Sequence, residues 1–110
     1  MAATFVELLQ TLPPVDHLQA LELLDASGRT VARLENQPGS AGSLRVYAAL
    51  AAEFGAIDAQ AAARGLALFA EHTAAARAHP GSHPNIDRLL ALVDTPQTLY
   101  VKQQARGTPM

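Results

Sequence analysis

Apolar residues at Phe5, Leu8, Leu9 and Leu12 recur at helical spacing, and Pro13-Pro14 ends the pattern, which predicts a first helix over residues 5–12. The rhythm then changes. Leu21-Glu22-Leu23-Leu24 and the alternating run Thr30-Val31-Ala32-Arg33-Leu34-Glu35 flank Asp25-Ala26-Ser27-Gly28. A connector with Asp early and Gly late suits a tight loop, so the pair reads as a β-hairpin. Residues 36–43, Asn-Gln-Pro-Gly-Ser-Ala-Gly-Ser, have loop composition. Ser43 then stands as the N-cap of a helix over Leu44–Phe54, with Gly55 as its C′ residue.

Asp58 is placed to cap a longer helix over Ala59–Ala78, whose apolar stripe steps through Ala62, Leu66, Phe69, Thr73 and Ala76. Gly65 interrupts that helix at a cost of about 1 kcal/mol relative to Ala, which a close approach by another helix would explain. Asn85 reads as the cap of a last helix over Ile86–Val93, and Thr95-Pro96 breaks it. Leu99–Lys102 reads as a short strand, and residues 103–110 as a frayed polar tail. The predicted order is α-β-β-α-α-α-β: an α+β fold in which the hairpin and the C-terminal strand form a small antiparallel sheet, with about four helices packed on one face.

Composition narrows the function. A chain of 110 residues is read as a single domain. Its net charge of −2, with no basic block, argues against a nucleic-acid partner. The absence of cysteine excludes disulfides, thiol catalysis and Cys-based zinc sites. The first residues have no positive start and no long apolar run, so neither a signal peptide nor a membrane span is expected, and the reading is cytoplasmic. With 49% hydrophobic and 16% charged residues, the composition points to a homo-oligomer.

The densest chemistry is in the turn at residues 79–87. His72, His79 and His83 fall within twelve residues, flanked by Glu71 and Asp87. Histidine is the side chain that titrates near neutrality and the commonest metal ligand. Three readings of the turn stand. In the first, His72, His79 and His83 hold a divalent metal, although His72 and His79 are seven residues apart, roughly 10 Å along a straight helix. In the second, the histidines only brace a rigid turn, with His79 at a helix C-terminus and Asp87 at a helix N-terminus where the dipole favours each. In the third, His79 or His83 is a general base, with Asp87, Glu71 and Arg77 nearby to supply the other protonation state.

The loop at residues 38–45 is the second candidate. It lacks the Lys-Ser/Thr ending of a phosphate loop, but it joins small residues to a helix N-terminus. Backbone N–H groups around Gly42, the hydroxyls of Ser40 and Ser43, and Arg45 are suited to a carboxylate or phosphate. Tyr47, one turn further on, reads as a half-buried packing residue. The short link at residues 55–58 makes the two flanking helices antiparallel, which brings Ser40, Ser43 and Arg45 to the same end as His79 and His83. One cleft for a small anionic or metal-associated ligand, or for a protein partner, is the result. A small enzyme and a purely structural assembly protein are the alternatives.

Leu12-Pro13-Pro14 with His17-Leu18, Pro38-Gly39 with Gly42-Ser43-Leu44, Gly65-Leu66 with Glu71-His72-Thr73, and His79-Pro80-Gly81 with His83–Leu90 together resemble an uncharacterised family of short bacterial proteins, over nearly the whole chain. That resemblance implies a bacterial origin and carries no activity, cofactor or catalytic residue.

Overall fold

In the computed structural model, which describes residues 3–107, three strands and five helices form an α+β fold. The elements are α1 (Phe5–Leu9), β1 (Leu18–Leu24), β2 (Thr30–Glu35), α2 (Ala41–Phe54), α3 (Ala59–Phe69), α4 (Glu71–Ala78), α5 (Pro84–Val93) and β3 (Tyr100–Ala105). The sheet is antiparallel throughout, in the order β2-β1-β3. Its central strand carries Leu21 and Leu23, both fully buried. The opposite face carries Glu22, paired in register with Arg33 on one side and Lys102 on the other. The hairpin turns where expected. The Asp25 carboxylate accepts the Ser27 and Arg29 N–H groups at 3.0 Å, and Gly28 takes the positive φ of 89° that the turn requires.

The strand beginning at Tyr100 does not stop at Lys102. Gln103 and Gln104 pair with Leu21 and Ala20, and Ala105 pairs with Leu18. The Arg106 N–H and guanidinium then donate to the His17 and Asp16 carbonyls. Residues 103–105 of the predicted tail are therefore an edge strand. Its residues mislead because Gln103, Gln104 and Ala105 are all exposed, and backbone pairing with β1 rather than burial holds them. Residues 108–110 lie outside the described residues.

Helix α2 lies on the sheet, and α3 packs beside it between α2 and α5. Gly65 explains that closeness. A Cβ there would lie 2.8 Å from Leu89 Cδ1 and 2.9 Å from Leu50 Cδ1, so glycine lets α3 approach both neighbours without displacing either leucine. The caps expected at Asp58 and Gly55 are present. Asp58 accepts the Ala61 N–H at 2.9 Å, and Gly55, at φ 81°, donates to the Ala51 carbonyl.

Three helix ends differ from the sequence reading. Helix α1 stops at Leu9 rather than at residue 12. Helix α2 starts at Ala41 with Ser40 before it, so Ser43 lies inside the first turn. Helix α5 starts at Pro84 with His83 before it. Proline at the first helical position gives up an N–H that has no helical partner anyway, which moves the start one residue ahead of Asn85. The largest correction is the long helix over 59–78, which is two helices broken at Ala70. Periodicity alone is blind to this break, because α4 continues the apolar stripe with buried Thr73 and Ala76.

Ala70 has φ 51° and ψ −120°, a conformation natural to glycine and costly for an L-residue with a Cβ. The Thr73 hydroxyl, donating to the Leu66 carbonyl at 2.6 Å, ties the two helices across the break. Ala70→Gly is expected to stabilise the fold by about 1 kcal/mol, because relief of strain outweighs the added freedom of the unfolded chain. Urea denaturation of the two proteins checks the sign.

Candidate functional site

The break at Ala70 and the turn after α4 bring five elements to one cleft of about 380 Å³. Gly39 comes from the loop before α2, and Gly42 and Ser43 from the first turn of α2. Ser82 and His83 come from the turn, and Pro84, Asn85 and Ile86 from the start of α5. Phe5 of α1, Phe69 at the end of α3 and His72 of α4 complete the wall.

The rings form a connected set. Phe5 stacks on Phe69 at a centroid distance of 5.4 Å, and the edge of His72 meets Phe5 at 5.0 Å. His83 lies 6.1 Å from His72, tilted by 42°. Gly42 lies beneath Phe5. A Cβ at residue 42 would come within 3.2 Å of the Phe5 ring, tighter than ordinary contact. Neither Phe5 nor Phe69 is suggested by the histidine spacing. Both are legible in the sequence only as apolar helix positions.

Three polar side chains of the cleft are free to meet a ligand. The Ser43 hydroxyl and the His72 and His83 imidazoles line it, and among the described residues none has a hydrogen-bond partner within the chain. None is a buried orphan, since no buried side-chain N or O lacks a partner among the described residues. The groups therefore face solvent. Helices α2 and α5 both begin at the wall without a side-chain cap. The backbone N–H groups of Gly42, Ser43 and Asn85 have no acceptor among the described residues. Each such helix end carries roughly half a positive charge. Among the described residues no Lys, Arg, Asp or Glu lines the cleft.

The other residues singled out from the sequence lie elsewhere. The Ser40 hydroxyl donates to the Glu35 carbonyl at 2.6 Å, tying α2 to the end of β2. The Arg45 guanidinium donates to the Leu12 and Pro13 carbonyls, so it pins the segment after α1 rather than entering the cleft. His79 is exposed at the C-cap of α4, and its carbonyl accepts both the N–H and the hydroxyl of Ser82. Asp87 accepts the Gly81 N–H at 2.8 Å and so closes the turn. Glu71 accepts the Phe5 N–H at 2.8 Å, and Arg77 is exposed on α4. Of the three histidines that the sequence offers to a metal, only His72 and His83 come together. Among the described residues no group of three or more His, Asp or Glu is arranged to hold a metal ion.

Behind the cleft, Tyr47 is fully buried rather than half-buried. Its hydroxyl donates to the Asn85 carbonyl. The Arg88 guanidinium bonds both the Tyr47 oxygen at 3.1 Å and the Asn85 side chain at 2.9 Å, and lies over the Tyr47 ring. Burial pushes the Tyr47 hydroxyl up to about 12, against the opposing pull of Arg88, so it stays protonated and keeps donating. This network sets where α5 begins and therefore where His83 and Asn85 stand.

A family described as an uncharacterized protein conserved in bacteria (DUF2322) matches residues 5–103, and the chain belongs to that family. Comparison with curated proteins and with solved structures gives no match. Among the described residues no helix is long and apolar enough to cross a membrane.

Proposed function

We propose that this member of the bacterial family is a binding protein for a small organic anion, which it takes into the cleft between the 38–45 loop and the 79–87 turn. One observation carries the reading. The Ser43 hydroxyl and the His72 and His83 imidazoles share one solvent-facing cleft with no partner among the described residues. Polar groups at a wall are hydrogen-bonded to something, and a ligand can replace the water that holds them.

The charge and shape of the cleft narrow the ligand. Its volume of about 380 Å³ lies at the lower end of small-molecule sites and exceeds what a bare inorganic anion fills. Phe5, Phe69, Pro84 and Ile86 supply an apolar wall for an organic body. With no fixed cation in the lining among the described residues, the attraction comes from two helix ends and the imidazoles, and suits a single negative charge better than a polyphosphate. Arg45, the cation expected there, is held by Leu12 and Pro13. Asp87, the carboxylate expected beside the histidines, is held by Gly81, which favours binding over histidine base catalysis.

Calorimetric titration with benzoate, and with inorganic phosphate for comparison, tests the reading. Benzoate is expected to bind at one saturable site, more tightly than phosphate. Ser43→Ala combined with His83→Ala is expected to weaken it by about tenfold or more, the usual effect of losing hydrogen bonds to a charged group. Equal, non-saturating heats in both proteins would contradict it.

A further inference from the structure

We propose that α1 is a hinged gate that forms one wall of this cleft, docked there by the Phe5 ring and latched by the Glu71 carboxylate on the Phe5 N–H. Its role as a gate rests on the cleft being a binding site, but its motion is observable without any ligand.

Helix α1 has five residues and none of them is buried. Isolated helices shorter than about 12–15 residues are marginal in water, so α1 exists only while it is docked. Thr4 and Glu7 form a capping box that keeps its own first turn together. Its docking contacts are few. Phe5 stacks on Phe69 and meets His72, and Leu8 and Leu9 pack half-buried against the core. The direct polar tie from its start to the rest of the fold is the exposed bond from the Phe5 N–H to Glu71.

The far end of α1 is anchored differently. Arg45 holds the carbonyls of Leu12 and Pro13, and the consecutive prolines Pro13 and Pro14 stiffen the backbone there. A firm anchor after residue 11 and a light latch at residue 5 define a hinge. Lifting α1 uncovers Phe69, His72 and the backbone over Gly42, which are walls of the cleft. Segments that open to admit ligands are drawn from the weakly held parts of a fold.

The latch is also sensitive to acid. The Glu71 carboxyl is held below its ordinary value by its own N–H first and by the Phe5 N–H next, against desolvation, with His72 adding a small pull in the same direction. Glu7 on α1 faces it with like charge, and its own carboxyl is lowered by the Thr4 contacts. The folded Glu71 is the stronger acid. Its contribution is therefore complete above the ordinary carboxylate range and is lost as pH falls through the depressed value.

Amide hydrogen exchange of the full chain tests the gate at pH 7, with Glu71→Gln and Phe5→Ala beside the wild type. Protection at the α1 amides is expected to fall by about fivefold in Glu71→Gln and by more in Phe5→Ala, while β1 and α3 keep theirs. Protection of α1 that stays unchanged in both variants, or that is lost only in step with β1 and α3, would overturn the gate. Failure of benzoate to bind would instead remove the reading of the cleft and leave the exchange result standing.

Discussion

Tyr47→Ala is expected to cost about 3–5 kcal/mol of stability, the usual range for deleting a fully buried aromatic ring. For a domain of this size each kcal/mol lowers Tm by roughly 4–8 °C, so the variant is expected to melt far below the wild type or not to fold. Tyr47→Phe separates the hydroxyl from the ring. It keeps the packing but leaves the Asn85 carbonyl and the Arg88 guanidinium each short of a partner, at an expected cost of about 1–3 kcal/mol. The phenylalanine variant also changes the alkaline limb. The folded Tyr47 hydroxyl is raised to about 12 from an ordinary value of 10.0, so the wild type loses stability as pH rises between those values. Tyr47→Phe is expected to lose that slope. Urea denaturation at pH 7 and across the alkaline range measures both effects.

Gly65→Val is the second large effect. The first added carbon alone lies under 3.0 Å from terminal methyls of Leu50 and Leu89, both fully buried, so both must shift. Two further methyls force α3 away from α2 and α5, and overpacking of this kind costs about 3 kcal/mol. Gly65→Ala is expected to lose less, because about 1 kcal/mol of helix propensity returns. The damage extends to the cleft. Helices α2 and α5 start at its wall, so spreading them parts Ser43 from His83. In thermal melting the wild type is expected to be the most stable, Gly65→Ala intermediate and Gly65→Val the least. A valine protein as stable as the wild type would show that α3 does not approach its neighbours this closely.

The fold is legible in the sequence where local chemistry and burial agree. The hairpin at Asp25–Gly28, the cap at Asp58, the stop at Gly55 and the close approach at Gly65 are all readable, because each rests on one residue whose backbone or side-chain preference is strong. The break at Ala70 is not. Alanine is the best helix former, so nothing in its own preference announces a positive φ at this position. The strand through Ala105 is hidden for a related reason. Its Gln-Gln-Ala stretch has no β-pattern, and pairing with the buried β1 supplies the drive.

The site is legible in part. Antiparallel packing of α2 against α3, inferred from a short link, brings the 38–45 loop and the 79–87 turn to one end, and Ser43 and His83 do share a wall. Ser40, Arg45, His79 and Asp87 look equally chemical in sequence, yet each binds or caps backbone. Sequence names the donors but not their acceptors. Only tertiary geometry shows that Leu12 and Pro13, far upstream in the chain, claim the arginine. Phe5 is the reverse case: an apolar helix position in the sequence, and a cleft wall once α1 folds over Gly42.

An amide chemical-shift titration of the full chain with benzoate decides whether the cleft takes an organic anion. Saturating shifts are expected, concentrated at the amides of Gly42, Ser43, His72, His83 and Asn85, with β2 and β3 unmoved. Shifts that are absent, or that scatter over the sheet without saturating, would contradict anion binding at this cleft.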